Sequence, residues 1–455
     1  MQIDPSIFKA YDIRGVVDKT LTVEAARAVG QALGALALEK HIDILCVGRD
    51  GRLSGPKLSE ALMEGITDMG VNVKSIGMTP TPVLYFATFL TETGSGVAVT
   101  GSHNPPEYNG LKMMMAKDTL YGEGIQALRT RIEKGIETAQ HKGQIEEIDV
   151  LTPYLSKVLG DVKLERTMKV AIDCGNGVTG PLELFKRLGC EVTPLYTEID
   201  GHFPHHHPDP SKPANLADLI ETVKNSDVEL GLAFDGDGDR LGVVTKSGQI
   251  IYPDRQIMLF AADILKHNPG APIIYDVKCT RRLVPWIKEH GGVPTICRTG
   301  HSLVKAKLKE TQAPFAGEMS GHLFFNDKRW PGFDDGLYAG ARILEILSRY
   351  ENPSAVLEAL PTAVNTPELH IEMAEGENKR FVQKLQQQLR FDDATDIITI
   401  DGIRVEWKDG FALARPSNTT PVVVLRLEGD TPEALERIKT CFGNALKKVD
   451  PSIVL

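Results

Sequence analysis

Apolar runs alternate with amphipathic helical stretches along most of the chain, and the same order of features occurs three times. In each copy an apolar run ends in an acidic residue, which is Asp50, Asp173 or Asp276, and a polar turn, a helical pattern, a glycine and a second apolar run follow. The three segments are DILCVGRDGRLSGPKLSEALMEGITDMGVNVKSIG, KVAIDCGNGVTGPLELFKRLGCEVTPLY and APIIYDVKCTRRLVPWIKEHGGVPTICRTG. Strands that alternate with amphipathic helices are typical of sheets covered by helices. The pattern therefore predicts three similar α/β domains with mixed or parallel sheets.

The C-terminal part has a different pattern. Short apolar runs in TPELHIEM and DIITIDGIRVEWKDGFALARPSNTTPVVVLRLEG predict hairpin-like strands, and helices are expected around 376–390 and from near Thr431. This combination is typical of an α+β domain. The predicted domains are 1–150, 151–250, 251–362 and 363–455.

The composition is that of a globular protein of several domains. The chain has 455 residues, of which 42% are hydrophobic and 25% charged, and its net charge is −10. A negative net charge argues against binding to nucleic acid or to an anionic membrane surface, but a small cationic pocket for an anionic substrate is compatible with it.

The location of the protein is also expected from the sequence. No apolar stretch is long enough to span a bilayer, and the N-terminal residues lack the pattern of a signal peptide. The six cysteines are scattered without a C-x-x-C pair, which is typical of reduced thiols. We therefore expect a cytoplasmic protein without a membrane partner. The sequence does not determine the oligomeric state, and a monomer is compatible with it.

A polar loop interrupts an apolar run in VAVTGSHNPPEYNGLK, residues 97–112. A plain Pro/Gly turn would explain the prolines and glycines, but it would not explain Ser102, His103 and Lys112 together. The nucleophile elbow of α/β-hydrolases, G-x-S-x-G, fits poorly, because Thr100 and Asn104 stand where it needs glycine.

A second loop, DGDGDR, directly follows an apolar run and carries Asp235, Asp237 and Asp239. An EF-hand is excluded, because Arg240 and Lys246 replace its glycine and its terminal glutamate. A solvated acidic turn is the alternative, but three neighbouring carboxylates at the end of a buried strand repel one another unless a cation lies among them. The loop therefore predicts a site for a hard divalent cation, Mg²⁺.

Two further loops carry donors for a sugar phosphate. GEMSGHLFF contains Glu318, Ser320 and His322, and by itself it fits a hydrogen-bonded turn as well as a sugar-hydroxyl site. RPSNTTP, residues 415–421, combines a guanidinium, hydroxyls and an amide without an acidic residue. This set of donors is typical of a phosphate site.

Two other motifs suggest different functions. GNGVTG, residues 175–180, matches the dinucleotide-binding G-x-G-x-x-G, and it is the best argument for an NAD-dependent oxidoreductase. The glycines are also explained by a tight turn between strand and helix, because the same unit occurs twice more without the fingerprint. HFPHHHPDP, residues 202–210, suggests zinc, but its spacing fits no helix-borne ligand pair and a packed interdomain loop is the preferred interpretation.

Taken together, the loops resemble those of the α-D-phosphohexomutases, and most closely the bacterial phosphomannomutase/phosphoglucomutase branch. The motifs, each present once and in the family's order, are KAYDIRG, GRDGRLSGP, TGSHNPPEYNG, DGDGDR, DVKCT, GEMSGH, GFDDG and RPSNTTP. The resemblance covers nearly the whole chain. It implies four domains around a central cleft, with one loop from each domain lining the site.

The resemblance also implies roles for the polar side chains of these loops. Ser102 would carry a phosphoryl group, and its phosphate would hold Mg²⁺ together with Asp235, Asp237 and Asp239. The implied substrate-binding residues are Tyr11, Arg14, Arg240, Lys278, His301, Glu318, Ser320, His322, Arg415, Ser417, Asn418 and Thr419.

The expected reaction is reversible transfer of phosphate between O1 and O6 of mannose phosphate or glucose phosphate through a hexose 1,6-bisphosphate. Lys112 would offset charge on the transferred group with His103 nearby, and His322 is the candidate general base. A phosphoglucosamine-type mutase of the same family stays open as an alternative. Gly101 and Thr420 depart from the commonest family pattern, which has alanine and glutamate there, but neither departure removes a side chain with an implied role.

Overall fold

A computed structural model of the chain describes residues 3–180, 183–374, 376–418 and 420–453. The strands are β1 Ile13–Val16, β2 Ile44–Arg49, β3 Asn72–Met78, β4 Gly96–Val99, β5 Tyr108–Met115, β6 Asp118–Thr119, β7 Ile145–Glu147, β8 Lys169–Asp173, β9 Glu191–Leu195, β10 Leu230–Phe234, β11 Leu241–Thr245, β12 Ile250–Ile251, β13 Pro272–Asp276, β14 Val293–Cys297, β15 Phe315–Gly317, β16 Leu323–Phe325, β17 Val364–Asn365, β18 Leu369–Glu372, β19 Asp396–Ile398, β20 Ile403–Trp407, β21 Gly410–Pro416 and β22 Val422–Gly429. The α-helices are α1 Val23–Glu39, α2 Gly55–Asp68, α3 Thr81–Leu90, α4 Glu123–Lys134, α5 Leu151–Asp161, α6 Leu184–Arg187, α7 Ala217–Asn225, α8 Pro253–Leu265, α9 Leu283–Glu289, α10 His301–Thr311, α11 Gly336–Leu347, α12 Pro353–Glu358, α13 Glu377–Gln388 and α14 Pro432–Val449.

These elements form two units, each described by itself below. Unit 1 comprises Met1–Pro253 and Ser320–Ala359, and unit 2 comprises Asp254–Met319 and Leu360–Leu455. The third predicted domain is therefore divided between the two units, while the predicted domain boundaries themselves stay a prediction. None of the helices in the described ranges combines the length and apolarity that crossing a membrane requires.

The first sheet of unit 1 has the order β1-β5-β4-β2-β3-β7, with β6 paired to β5. Its central strands β3, β2 and β4 are parallel, as the strand–helix–strand pattern predicts, and β5 pairs antiparallel to β4. Helices α1 and α2 pack closely where each has a glycine. A Cβ on Gly30 would lie 2.2 Å from the Leu62 carbonyl oxygen, and a Cβ on Gly65 would lie 2.0 Å from the Arg27 carbonyl oxygen, so no larger side chain fits at either position.

The second sheet of unit 1 has the order β12-β11-β10-β8-β9. Strands β10, β8 and β9 are parallel, and β11 returns antiparallel beside β10. All residues of β10 and β11 are buried. The tight connection between these two strands is the DGDGDR loop, so the buried hairpin fixes the place of its carboxylates.

Helix α11 of unit 1 begins with a buried carboxyl group. Asp335, which is 0% exposed, accepts hydrogen bonds from the Tyr338 N–H at 2.9 Å and from the Tyr154 hydroxyl of α5 at 2.9 Å. Burial raises the pKa of Asp335 to about 8. The protonated form is therefore favoured in the folded protein near neutral pH.

The Asp335→Asn substitution is expected to flatten the pH dependence of stability. Because the pKa of Asp335 is about 8 in the folded chain and about 4 in an unfolded one, the folded state binds this proton more tightly. Its contribution is fully present below about pH 4 and is lost as the pH rises through about 8. From pH 5 to pH 9 the wild type should lose about 5 °C more in Tm than the variant. Thermal unfolding followed by circular dichroism checks this, and equal losses would contradict it.

Unit 2 contains two sheets of different kinds. The first has β14, β13 and β15 side by side and parallel, which confirms the third predicted α/β repeat. The second is antiparallel, with the order β17-β22-β21-β20-β19 and β18 paired to β22. The Thr431 hydroxyl caps α14 by accepting from the Ala434 N–H at 3.2 Å, at the predicted start of the last helix. The predicted fold class, three similar α/β domains and a C-terminal α+β domain, is confirmed.

Candidate active site

The serine loop, residues 100–108, connects β4 to β5 in unit 1. At the end of the neighbouring strand β2, Asp50 accepts from the Thr100 hydroxyl at 2.7 Å and from the Gly101 N–H at 3.2 Å. The Thr100 hydroxyl in turn accepts from the Ser102 N–H at 2.8 Å. The loop is thus held by buried side chains and not by its prolines and glycines alone.

Ser102 is buried and adopts a left-handed backbone conformation, with φ of 49°. For a residue other than glycine this conformation costs about 1–2 kcal/mol, so its neighbours must hold it. Its hydroxyl donates to Asp235 at 3.0 Å and lies 3.2 Å from His103 Nδ1. The structure therefore directs the hydroxyl at the carboxylates of the DGDGDR loop.

Asp235, Asp237 and Asp239 are each 0% exposed, and each offers a carboxylate oxygen within 4.8 Å of the others. The Lys112 ammonium, from β5, donates to Asp237 at 2.7 Å and also to Asp239. Burial and the neighbouring Asp239 and Asp237 raise the pKa of Asp235 well above its usual range. The Arg240 guanidinium lies 3.9 Å from Asp235 and 4.0 Å from Asp239, so two cationic side chains face three carboxylates.

The donor set fits a hard divalent cation. Asp237 Oδ1 is buried, and within the described residues it has no hydrogen-bond partner, while the buried Asp239 Oδ1 lies 3.3 Å from His322 Nε2. Buried carboxylate oxygens normally have one, and a cation bound by carboxylates supplies what is missing here. The arrangement supports the predicted metal site, whose ligands stay a prediction.

A second trio of possible ligands shares Asp239 and adds His322 and Asp334. Here the Arg240 Nε–H donates to His322 Nε2 at 3.3 Å. A cation placed on that nitrogen would compete with the guanidinium for the same lone pair and would be repelled by its charge. The first trio is therefore the better site.

Two histidines stand beside this group. Burial and the cations Arg240, Arg14 and Lys112 lower the pKa of His103 well below its usual range, so its imidazole is neutral. His322 lies 2.8 Å from the Ser320 hydroxyl through Nδ1 and 3.3 Å from Asp239 through Nε2. Both imidazoles thus have defined orientations.

The N-terminal residues of the predicted site, Tyr11 and Arg14, belong to unit 1 as well. The Arg14 guanidinium, on β1, donates to Asn104 of the serine loop and to Asp12. Tyr11 is half-buried in the bend that precedes β1. Unit 1 therefore brings together Arg14, Ser102, His103, Lys112, Asp235, Asp237, Asp239, Arg240, Ser320 and His322.

In unit 2 the buried Asp276, at the end of β13, contacts the loops that carry the predicted sugar-binding residues His301 and Glu318. Asp276 accepts from the Thr299 hydroxyl at 2.7 Å and from the Met319 N–H at 3.0 Å, and so joins the TGHS and GEMSG loops. Glu318 accepts from the Gly300 N–H, directly before His301. One carboxylate thus organises the two loops.

Lys278 lies in the loop that follows β13 and pairs with Glu368 at 3.1 Å. The Lys278 ammonium lowers the pKa of Glu368 to about 2. Behind this loop, the buried Arg404 donates to the carbonyls of Val277 and Cys279 on both sides of Lys278. The lysine is therefore anchored through its backbone by an arginine of the C-terminal sheet.

The RPSNTTP loop is built in a similar way. Arg415 donates through Nε to Asp401 at 2.9 Å, and the same carboxylate oxygen accepts from the Thr299 N–H at 3.0 Å. The Ser417 hydroxyl lies 2.9 Å from that of Thr420, and Asn418 is half-buried between them. Thr419, which was predicted as a phosphate ligand, lies outside the described residues.

The Asp401→Ala substitution is expected to weaken substrate binding more than turnover. Without the carboxylate, the Arg415 guanidinium loses the partner that fixes its Nε, and an ordered fork becomes a flexible side chain. We expect KM for a hexose phosphate to rise about tenfold, with kcat changed by less than about threefold. Steady-state kinetics checks this, with Asp409→Ala, in the turn between β20 and β21, as the control. An unchanged KM would contradict it.

The two other motifs have structural explanations. After GNGVTG the next helix in the described residues is α6, whose four residues at Leu184–Arg187 are too short for the helix N-terminus that a dinucleotide needs. A Cβ on Gly180 would lie 1.8 Å from the Thr197 carbonyl, so packing requires that glycine. In HFPHHHPDP, His205 stacks on Tyr196 and His206 lies 3.1 Å from Asp173. Within the described residues this loop provides no group of three metal ligands.

The sequence did not indicate the residues that hold the loops. The acid that ends the first strand of each repeat was visible as a pattern, and two of these acids, Asp50 and Asp276, support loops of the site. No sequence pattern indicated a role for Asp401 or Arg404, because each contacts a loop that is more than 100 positions away in the chain.

Comparison with known proteins agrees with this geometry. Models of the phosphoglucomutase/phosphomannomutase family match the chain in all four parts: alpha/beta/alpha domain I at residues 5–141, domain II at 152–248, domain III at 252–364 and the C-terminal domain at 368–442. The chain belongs to this family. The predicted resemblance is confirmed, and the protein is an enzyme of the mutase type.

Individual relatives cover nearly the full length. A phosphoglucomutase of Neisseria gonorrhoeae is 57% identical over 456 residues, covering 99% of both chains. A phosphomannomutase/phosphoglucomutase of Pseudomonas aeruginosa is 54% identical over 451 residues, covering 98% of this chain and 97% of the relative. A crystal structure of a phosphoglucomutase/phosphomannomutase family protein from Burkholderia thailandensis superposes with a TM-score of 0.95 at 55% identity, covering 100% of both chains.

Proposed function

We propose that the protein transfers a phosphoryl group reversibly between O1 and O6 of mannose phosphate and glucose phosphate, with Ser102 as the phosphate carrier. The observation that carries the proposal is the position of the buried Ser102 hydroxyl. Ser102 has a left-handed backbone conformation, and its hydroxyl oxygen lies 3.0 Å from the Asp235 carboxylate. A structural serine does not need this strain, or a group of three buried carboxylates beside it in which Asp237 Oδ1 has no partner among the described residues. Both features are expected for a phosphate carrier that works next to a bound cation.

Mg²⁺ would be held by Asp235, Asp237 and Asp239 together with the phosphate on Ser102. When bound, it would neutralise charge that develops on the transferred group. Lys112 already pairs with two of the three carboxylates and would supply a second positive charge from the protein.

The forward half-reaction places the phosphoryl group of phospho-Ser102 on the free sugar hydroxyl. The new P–O bond forms to the sugar oxygen while the P–Oγ bond of Ser102 breaks. His322 would take the hydroxyl proton on Nε2, in place of the hydrogen bond that this nitrogen accepts from Arg240, and Asp239, 3.3 Å away, would stabilise the resulting imidazolium. The neutral His103, 3.2 Å from the Ser102 hydroxyl, would donate a hydrogen bond to the leaving serine oxygen, which takes its proton from water.

The second half-reaction is the reverse at the other end of the sugar. The hexose 1,6-bisphosphate turns around, and its other phosphate returns to Ser102. Because either phosphate must be accepted, the non-reacting end needs a phosphate clamp, which we assign to Arg415, Ser417, Asn418 and Thr419. Glu318 and Ser320 would bind the 3- and 4-hydroxyls, and Tyr11, Arg14, Arg240, Lys278 and His301 would complete the sugar-phosphate contacts.

Intact-mass measurement of the purified protein tests the scheme directly. Incubation with glucose 1,6-bisphosphate should add one phosphate, located on Ser102 and removed by hexose monophosphate. An unmodified serine in an active enzyme would contradict the phosphoserine route.

Two further measurements test the substrate and the reaction class. Rates on mannose, glucose and glucosamine phosphates determine which sugar is preferred. A thermal shift with NAD(H) but not with hexose phosphates would instead favour the oxidoreductase. We propose that the enzyme is cytoplasmic and that hexose phosphates are its partners.

A further inference from the structure

A buried arginine of the GRDGRLSGP motif, to which the proposed mechanism assigns no role, holds the serine loop. The Arg52 side chain, which follows β2, is 0% exposed. Its Nη2 donates to the carbonyls of Ser102 at 2.8 Å and Asn104 at 2.5 Å. Its Nη1 donates to the carbonyls of Pro105 at 2.6 Å and Tyr108 at 3.0 Å. One guanidinium therefore binds four carbonyls along the loop that carries the proposed phosphate acceptor.

We propose that Arg52 is a positioning residue for phosphoryl transfer, because its guanidinium fixes the backbone path that directs the Ser102 hydroxyl at the transferred group. The proposal rests on the proposed function, since it assumes that Ser102 carries the phosphate. Arg52 acts through the loop backbone and is not assigned a contact with the substrate.

The chemistry of the contacts requires an arginine. The guanidinium is planar and presents its N–H groups in a rigid fork, so it can bind two pairs of carbonyls at once. A lysine ammonium is a single point on a flexible stem and cannot reach both pairs. The hydrogen bond to the Ser102 carbonyl is buried, so this carbonyl would carry an energetic penalty without its donor, and the loop would move to satisfy it elsewhere.

The arginine is itself held in place from two sides. Its Nε lies 3.3 Å from Asp50, the carboxylate that also accepts from Thr100 and Gly101. Its guanidinium carbon lies 5.1 Å from the centre of the Phe203 ring. The loop, Asp50 and Arg52 thus form one buried network around the serine.

Gly101 provides independent support for this arrangement. A Cβ at this position would lie 2.4 Å from both Cζ and Nε of Arg52, so any side chain larger than hydrogen would displace the guanidinium. The loop, as it is placed against Arg52, therefore leaves no room for a Cβ at this position. Adding a Cβ here also provides a way to disturb the clamp without removing any of its polar groups.

The left-handed conformation of Ser102 is the feature that the clamp maintains. The carbonyl of Ser102 accepts from Arg52, its N–H donates to Thr100, and its hydroxyl donates to Asp235. When Arg52 is lost, the Ser102 carbonyl loses its donor, and the contacts with Thr100, Asp235 and His103 are left to hold a residue at φ of 49°. We therefore expect the serine to relax and its hydroxyl to leave the aligned position.

The test compares Arg52→Lys and Gly101→Ala with the wild type. The phosphorylation rate of Ser102 by glucose 1,6-bisphosphate is followed by quenched intact-mass measurement, together with kcat, KM and the ³¹P chemical shift of the phosphoserine. We expect Arg52→Lys to slow phosphorylation and kcat about a hundredfold, as displacements near 1 Å do, with KM changed less than about threefold. Gly101→Ala should act in the same direction, and the ³¹P shift should move in both variants.

Matched controls separate positioning from stability. Arg342→Lys replaces another buried arginine of unit 1, and Gly160→Ala adds a Cβ where nothing lies within 4 Å. Both controls should keep the wild-type phosphorylation rate and ³¹P shift per folded molecule. If Arg52→Lys does not fold, the phosphorylation rate of the Gly101→Ala variant tests the positioning role by itself.

Each outcome is informative. A folded Arg52→Lys or Gly101→Ala variant that is phosphorylated at the wild-type rate overturns the positioning role and leaves the proposed function intact. A wild type that takes up no phosphate on Ser102 overturns the proposed function, and the positioning role falls with it. Slow phosphorylation of both variants, with normal controls, supports the proposal.

Discussion

The Ser102→Ala variant is expected to lose mutase activity, with kcat lowered about ten-thousandfold or more, because no other group can carry the phosphoryl between the two half-reactions. The protein should still fold, since alanine and serine have similar costs at a left-handed φ and only the hydrogen bonds to Asp235 and His103 are lost. A coupled assay from glucose 1-phosphate to glucose 6-phosphate measures the effect, with Tm recorded in parallel.

The control for this experiment is Ser59→Ala. Ser59 is also buried, but its hydroxyl donates to the Pro56 carbonyl within α2, away from the loop. Its substitution should leave kcat within about twofold of the wild type, as is usual away from the chemistry. If Ser102→Ala retained a rate near the wild-type value, the phosphoserine route would be wrong, whatever the family name.

Much of the fold could be predicted because its signals are local. The repeated strand–helix–strand pattern predicts the parallel strands of three sheets, and a capping residue such as Thr431 marks the start of a helix. The helix expected directly after GNGVTG is an exception, because the described residues there form turns before the four-residue α6. Packing of the glycine turn against Thr197 outweighs the local pattern.

The chemistry of the site could be predicted only in part, for a related reason. Carboxylates at positions 235, 237 and 239 are neighbours in the chain, so their convergence is visible in the sequence. Arg52 and the carbonyl of Ser102 are 50 positions apart, and the contact exists only because β2 and β4 are adjacent in the sheet. A buried arginine after a strand has no signal that distinguishes a loop clamp from an ordinary ion pair. Such supporting residues become visible only when the tertiary contacts are known.

The Asp235→Asn variant is expected to stabilise the metal-free protein while it removes the response to Mg²⁺. In the wild type, burial and the charges of Asp239 and Asp237 raise the pKa of Asp235, so its ionised form is disfavoured in the absence of a cation. A neutral amide folds without having to take up a proton, but it can accept at only one of the two positions that now bind the Ser102 hydroxyl and the Arg240 N–H. Tm without metal should therefore rise by only a few degrees, about 1 kcal/mol.

The same substitution removes one oxygen ligand and one negative charge from the proposed cation site. Mg²⁺ at about 100 times its Kd should stabilise the wild type by about 2.7 kcal/mol, and this shift should be nearly absent in Asp235→Asn, with kcat lowered about a thousandfold. Thermal unfolding with EDTA and with Mg²⁺ separates the two effects, and Asp263→Asn, a buried aspartate on α8, should keep the full Mg²⁺ shift. A structural acidic turn predicts the opposite pattern: loss of Asp235 would lower Tm, and Mg²⁺ would stabilise neither protein. A gain in Tm without metal, together with a lost Mg²⁺ response, is expected only if the three carboxylates are held together to bind a cation.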